Sequence, residues 1–142
     1  AELRLPSRLG YEKVAMNTAA SVAKLMGFSA DRIDDLKTAV AEACINAIEH
    51  GNKLDEKQSV VVVLSIEPNT LEVKVVDGGQ GMPGPVSAEA PNIDAKMLGE
   101  DDPRGLGLFL IQALVDEAEF VSQPLGGSYA RLVIHLDKEE NA

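Results

Sequence analysis

The chain is poor in cysteine, aromatic residues and positive charge. It has one cysteine and no tryptophan, and aromatic residues make up 4% of its 142 residues. A single cysteine excludes an internal disulfide and a zinc site built from several cysteines. The 13 basic residues are outnumbered by 23 acidic ones, so the net charge is −10 and the attraction to phosphate that drives nucleic-acid binding is missing. We therefore expect no direct nucleic-acid contact and favour a basic protein partner.

Long apolar runs are also missing. No stretch approaches the roughly 18 consecutive apolar residues of a membrane helix, and the first residues show no basic-then-apolar leader. We therefore expect no membrane association and favour the cytoplasm as the compartment. With 45% hydrophobic and 25% charged residues, the composition is that of a globular protein, and the length predicts a single domain over 1–142.

Local patterns predict the order of helices and strands. Apolar residues at helical spacing favour three helices, at about 11–26, 31–50 and 105–116. Alternating or β-branched runs favour five strands, at 2–6, 59–66, 71–77, 119–123 and 128–136. Because most strands are grouped apart from the early helices, the sequence predicts an α+β two-layer sandwich. Its sheet is expected to be mixed but mostly antiparallel, with helices on one face.

Residues 82–103 follow no regular pattern. This segment holds four prolines, two glycines and several acidic residues. An irregular segment of this length in a small domain is usually functional or mobile, so we interpret 82–103 as a flexible lid. The polar tail 137–142 is expected to fray.

Polar side chains follow one face of the second predicted helix. Glu42, Asn46 and His50 are four residues apart, so they are expected to project from the same side. A carboxylate can accept a proton and an amide oxygen can ligate a hard cation, which makes Glu42 and Asn46 a candidate base and metal ligand. A solvated helix face explains Glu42 and His50 more simply. Asn46 is a mediocre helix former among apolar neighbours, which predicts a specific partner, although an ordinary buried hydrogen bond would suffice.

Two glycine-containing segments flank this helix face in the sequence. Asp77 ends a predicted strand and is followed by Gly-Gly-Gln-Gly, which permits positive φ or a close approach of a ligand to the backbone. Residues 104–108, Arg-Gly-Leu-Gly-Leu, open a predicted helix whose free N–H groups and positive dipole end attract anions. Taken singly, the first is as readily a tight turn and the second a packed helix start. Together with Glu42 and Asn46 they suggest a nucleotide site.

The combination of these motifs resembles the GHKL ATPases, and among them the short anti-sigma factor serine/threonine kinases of bacteria. Their motif Glu-x-x-x-Asn-Ala-[Ile/Val]-x-His-Gly is similar to residues 42–51, and their Asp-x-Gly-x-Gly box is similar to residues 77–81, followed by Met82. Residues 104–108 resemble the second glycine box. Gly127-Ser128 resembles the closing Gly-[Thr/Ser], with serine where threonine is commoner. The resemblance covers nearly the whole chain and implies the Bergerat-type ATP-binding fold.

The resemblance also implies a role for each matched residue. Glu42 would be the catalytic base, Asn46 would hold Mg²⁺ against the phosphates of ATP, and Asp77 would accept a hydrogen bond from the adenine amino group. The residues implied to complete the adenine end are Gly79, Met82 and Ser128, and Gly81 is implied to permit the turn itself. The residues implied to contact the phosphates under the lid are Arg104, Gly105, Leu106, Gly107 and Leu108.

Proteins of this kind bind a sigma factor and transfer the γ-phosphate of ATP to a serine of an anti-sigma factor antagonist. The resemblance therefore implies an anti-sigma factor with protein serine/threonine kinase activity, which regulates transcription by exchanging partners. Two other functions stay open: a non-catalytic, ATP-dependent protein-binding switch, and a stand-alone ATPase module of a signalling complex. Formation of a homodimer also stays open.

Overall fold

A five-stranded sheet forms one layer of the protein. The computed structural model describes residues 1–78, 103–122 and 126–136. The strands are β1 (Glu2–Pro6), β2 (Ser59–Ile66), β3 (Thr70–Asp77), β4 (Glu117–Ser122) and β5 (Ser128–His135). They lie in the order β1-β2-β3-β5-β4, and each of these neighbouring pairs is antiparallel.

The expectation of a mixed sheet is wrong for the described residues, because all of its described pairings are antiparallel. The connection from β1 to β2 contains two helices, and it returns the chain to the same end of the sheet at which β1 ends. Pro6, the last residue of β1, consequently pairs with Ser59, the first residue of β2. Strands β2 and β3 form the expected hairpin, whose turn is closed by a 2.9 Å bond from the N–H of Glu67 to the carbonyl oxygen of Thr70.

Within the described ranges, three α-helices form the second layer. They are α1 (Glu12–Met26), α2 (Ala30–Asn46) and α3 (Pro103–Leu114), and α2 continues into a π-helical turn, Ala47–Gly51. Helix α1 ends at Gly27, whose φ of 100° is accessible to glycine at little cost. Helix α2 begins directly afterwards, because the Ser29 hydroxyl accepts a hydrogen bond from the N–H of Arg32.

The core lies between the helices and one face of the sheet. Side chains of β2 and β3 alternate, with Val62 and Val73 fully buried and Glu72 and Lys74 partly exposed on the other face. Burying each such valine contributes roughly 1.5–3 kcal/mol. Three alanines of α1, spaced four residues apart, are fully buried, which lets α1 approach its neighbours closely; they are Ala15, Ala19 and Ala23. The predicted α+β sandwich with helices on one face is confirmed.

Two segments predicted from the sequence, a lid and a polar tail, lie mostly outside the described residues. Of the lid expected at 82–103, only Pro103 belongs to the described residues, where it starts α3. The tail at 137–142 lies outside them. Among the helices that are described, none combines the length and apolar character needed to cross a membrane.

Candidate functional site

A carboxylate and a hydroxyl meet at the end of the sheet. Asp77, the last residue of β3, pairs in register with Ser128, the first residue of β5. The Ser128 hydroxyl donates to Asp77 Oδ2 over 2.6 Å, and the two residues are only 6% and 5% exposed. Because a hydrogen bond to a carboxylate is stronger than one between neutral groups, this contact fixes the Asp77 side chain.

Two glycines enclose Asp77. A Cβ on Gly51, at the end of the π-helical turn, would lie 2.3 Å from Asp77 Cγ, so the helix backbone passes directly against the carboxyl group. Gly127, with φ of +81°, lies on another side, and a Cβ there would be 3.0 Å from the Asp77 carbonyl oxygen. The absence of side chains at positions 51 and 127 is therefore a steric requirement of this site.

A cavity opens beside Asp77, between the helices and the sheet. Its polar lining includes Asn46 and Ser128, and its apolar lining includes Val75, Leu108 and Phe120. The full set of described lining residues is Ala43, Asn46, Ala47, Gly51, Val75, Asp77, Leu108, Phe120, Ser128, Tyr129 and Ala130. Apolar walls with a few convergent polar groups are typical of small-molecule sites. A buried carboxylate in such a cavity suits a flat heterocycle that carries an amino group.

Two further polar side chains, those of Glu42 and Asn46, lie where α2 faces the start of α3. A Cβ on Gly107 would be 3.5 Å from both Asn46 Nδ2 and Glu42 Oε2. The helix-face prediction is thus confirmed for Glu42 and Asn46, which face the same glycine. His50 belongs to the π-helical turn that follows Asn46, which has more residues per turn than an α-helix, and like Glu42 it is not among the described residues that line the cavity.

Asn46 carries an unpaired polar atom. Its Nδ2 is buried and has no hydrogen-bond partner among the described residues. A buried donor without a partner costs roughly 1–3 kcal/mol, so the expected specific partner of Asn46 is a group that the described residues do not supply. A half-turn about the last side-chain bond exchanges the amide nitrogen and oxygen, so Asn46 can present either a donor to a phosphate or a ligand to a cation.

The polar side chains of this site suit a cation that is held mainly by a bound nucleotide and only in part by the protein. Among the residues that the structure describes, no three histidine, cysteine, aspartate or glutamate side chains converge as a metal site. Mg²⁺ keeps several waters and commonly binds through one or two protein groups plus phosphate oxygens. Asn46 and the neighbouring Glu42 are therefore compatible with Mg²⁺ carried by a nucleotide.

The remaining predicted residues divide into two groups. Gly105 and Leu106 lie in the first turn of α3, and Leu108, 4% exposed, lines the cavity. No atom of the described residues lies within 4 Å of a Cβ built on Gly105. The others lie outside the described residues: Gly79, Gly81, Met82 and the side chain of Arg104.

Sequence reasoning missed Asn52, which follows Gly51 and is 2% exposed. Its amide oxygen accepts the N–H of Gly78 over 3.0 Å. Its amide nitrogen donates to the Ser7 hydroxyl over 2.6 Å and to the Ser59 carbonyl oxygen over 3.1 Å. A polar residue after a helix-ending glycine is typical of a surface turn, so the sequence carried no signal for this buried role.

Cys44 lies on α2 between Glu42 and Asn46 in sequence but is packed into the core. It is 1% exposed. Burial raises the pKa of its thiol to about 12, and the charge of Glu12 adds to the shift. The thiol is therefore an inert part of the core, as expected for a small buried cysteine.

Comparison with known proteins identifies the family. The profile of the histidine kinase-like ATPase domain matches residues 5–133. The chain belongs to this family. The serine-protein kinase RsbW of Bacillus cereus (strain AH820) is 33% identical over 128 residues, which cover 84% of this chain and 76% of that protein. RsbW of Bacillus anthracis (strain CDC 684) matches to the same extent. Within the family, the chain is thus a member of the GHKL anti-sigma factor kinases, as the motifs indicate.

Solved structures show the same fold. The RsbU and RsbW domains of a Mycobacterium tuberculosis protein match with a TM-score of 0.65 at 22% identity, over 95% of this chain and 32% of that one, so this chain spans about a third of it. The catalytic domain of the histidine kinase ThkA matches with a TM-score of 0.54 at 12% identity, over 95% and 97% of the two chains. The SiaB-SiaC complex of Pseudomonas aeruginosa matches with a TM-score of 0.55 at 15% identity, over 94% and 88%.

Proposed function

We propose that this chain is a protein serine/threonine kinase that transfers the γ-phosphate of ATP to a serine of an anti-sigma factor antagonist. The observation that carries the proposal is the arrangement around one cavity. Asp77 and Asn46 both line it, and Asn46 and Glu42 lie beside Gly107 near the start of α3. The proposed adenine-binding group thus lies on β3, and the proposed phosphate-facing groups lie on α2 and α3. All three elements line the same cavity.

At the adenine end, Asp77 accepts a hydrogen bond from the exocyclic amino group. Ser128 holds Oδ2 of that carboxylate, and Gly51 and Gly127 leave the space that it occupies. Apolar side chains such as Val75, Leu108 and Phe120 contact the faces and edges of the ring. As proposals from the motif, Gly81 permits the turn after Asp77, and Gly79 and Met82 complete the contacts to adenine.

At the phosphate end, the start of α3 supplies positive potential. The backbone N–H group of Gly105 is among the first four of this helix, which have no intrahelical acceptor, and those of Leu106 and Gly107 follow directly. They would bind phosphate oxygens, assisted by the helix dipole and by the proposed clamp Arg104. This local positive potential is what a chain of net charge −10 needs in order to bind a triphosphate.

Phosphoryl transfer requires a base and a means of neutralising charge. Glu42 is proposed to take the proton of the attacking serine hydroxyl, a contribution typically worth about 10²–10⁴-fold in rate. Asn46 is proposed to hold the Mg²⁺ that accompanies ATP. When bound, the ion would neutralise negative charge on the phosphates during transfer. The chain's own residues mostly orient the γ-phosphate and the hydroxyl.

The proposed partners are proteins. The RsbW relatives are named serine-protein kinases, and the family is that of anti-sigma factor kinases. We propose that this chain sequesters a sigma factor in the cytoplasm and regulates transcription by exchanging it for the antagonist. The excess of acidic residues favours a basic surface on such a partner.

Partner capture followed by labelling tests this function. Proteins that bind the chain in the presence of ATP and of ADP are recovered from the native host and then incubated with [γ-³²P]ATP. Label on a serine of one partner is the expected result, and Glu42→Gln should greatly slow the labelling while the partner is still retained. A partner whose binding depends on the nucleotide, but which is never labelled, would indicate a non-catalytic switch instead.

A further inference from the structure

Asn52 links three segments at the adenine end of the cavity. Its side chain contacts Ser7 after β1, the Ser59 carbonyl at the start of β2 and the Gly78 N–H after β3. Two of these bonds join backbone groups at neighbouring strand ends, and Asn52 itself follows Gly51. One amide therefore holds the end of the π-helical turn against the end of β3.

The partners fix which way the amide points. The N–H of Gly78 can only donate, so it must meet the amide oxygen, and the carbonyl of Ser59 can only accept, so it must meet the amide nitrogen. A carboxylate at position 52 could keep the Gly78 contact but could not donate to Ser59. Alanine would keep neither contact.

The Gly78 N–H belongs to the peptide group that begins at the Asp77 carbonyl. Asn52 holds this peptide from its N–H side, and Gly127 packs close to its carbonyl oxygen, since a Cβ on Gly127 would be 3.0 Å away. Ser128 holds the Asp77 side chain separately. Ser128 thus positions the carboxyl group directly, whereas Asn52 positions the peptide that carries it, so displacement of this peptide would also displace the carboxyl group.

We propose that Asn52 is a positioning residue that sets selectivity for adenine over guanine by fixing the Asp77–Gly78 peptide. The inference rests on the proposed binding of ATP at Asp77. Adenine offers an amino group to the carboxylate, whereas guanine presents a carbonyl oxygen at the same position, which the carboxylate repels. Discrimination between the two bases depends on the carboxylate keeping its place, because a displaced carboxylate loses the bond to adenine and also the repulsion of guanine.

Titration calorimetry with ATP and with GTP, each with Mg²⁺, tests this inference through the ratio of the two dissociation constants. In Asn52→Ala, the preference for ATP is expected to fall roughly tenfold or more, the order of effect of one lost hydrogen bond to a charged group. Ser7→Ala is the matched control. This variant loses the hydrogen bond from the Asn52 amide to the Ser7 hydroxyl and keeps the hydrogen bonds to Gly78 and Ser59. Its preference for ATP over GTP should therefore equal that of the unchanged protein.

A purely structural role for Asn52 predicts a different result. A lower melting temperature with both affinities reduced by the same factor would overturn the inference and leave the proposed function standing. If Asn52→Ala fails to fold, Asn52→Asp retains the acceptor for Gly78 and is expected to keep the preference for ATP; loss of preference in that variant would contradict the inference. Failure of the unchanged protein to bind ATP would overturn the proposed function, and the inference with it.

Discussion

The backbone of Gly51 lies directly against the carboxyl group of Asp77. A Cβ on residue 51 would be 2.3 Å from Asp77 Cγ and 2.8 Å from Oδ1, which is closer than real side-chain contacts allow. The contact joins the end of the π-helical turn to the end of β3. It also explains why the helix that carries Glu42 and Asn46 must end on a residue without a side chain.

The first prediction is that Gly51→Ala displaces Asp77 and weakens ATP binding by roughly tenfold or more, as expected when one hydrogen bond to a charged group is lost. The added methyl group cannot fit unless the carboxylate or the turn moves. Titration calorimetry measures the affinity, and thermal unfolding measures the accompanying loss of stability.

Gly27→Ala is the control for this variant. Gly27 has φ of +100°, so alanine there is strained, but no atom of the described part of the chain lies within 4 Å of the added Cβ and the position is at the end of α1. The control should lower the melting temperature and leave ATP affinity unchanged. Equal loss of affinity in both variants would show that Gly51 acts through global stability alone.

The second prediction separates catalysis from binding. Glu42→Gln should keep ATP affinity within about twofold and lower the rate of phosphoryl transfer by roughly 10²–10⁴-fold, because the variant keeps the shape of the side chain and loses the base. Glu49→Gln, an exposed position in the turn that follows α2, makes the same chemical change and should transfer phosphate at the original rate. Unchanged turnover in Glu42→Gln would remove Glu42 from the proposed role.

The third prediction concerns the hydroxyl that holds Asp77. Ser128→Ala removes the buried bond to Asp77 Oδ2 and should destabilise the fold by roughly 1.5–3 kcal/mol, the usual contribution of a hydrogen bond to a charged group. Ser128→Thr keeps the hydroxyl and suits a strand, so it should be close to the original protein. Urea denaturation measures both, and the prediction fails if the alanine and threonine variants are equally stable.

The fourth prediction follows from the buried thiol. Burial raises the pKa of Cys44 from 9.0 to about 12, so the folded protein keeps the thiol proton in a range where the unfolded chain loses it. The stability that this group contributes is therefore fully present below about pH 9 and falls as the pH rises toward 12. At pH 8, iodoacetamide should modify Cys44 rapidly in urea and very slowly in the folded protein. Equal rates would contradict the burial of the thiol.

Much of the fold could be predicted because its signals are local. The alternation of Leu71, Val73 and Val75 is visible in the sequence, and so are Gly27 and Ser29 at the junction of the first two helices. The predicted bounds differ from the observed ones by only a few residues. The antiparallel character of the whole sheet was harder to predict, since it depends on where the connections cross.

The candidate site could be predicted only in part. Glu42 and Asn46 share a helix face through spacing alone, and Asp77 is marked by the glycines that follow it. The close contact of Gly51 with Asp77 and the π-helical turn that produces it depend on packing between segments distant in sequence. Asn52 could not be found, because its partners Ser7, Ser59 and Gly78 come together only in the folded chain.

Titration of the purified chain with ATP, in the presence and absence of Mg²⁺, tests the central claim most directly. The claim is that α2, the end of β3 and the start of α3 form one nucleotide pocket. The predicted result is saturable binding of one ATP per chain that is stronger with Mg²⁺ and is weakened by Asp77→Asn. Absence of saturable heat with Mg²⁺ present, from a protein that unfolds cooperatively, would contradict the claim.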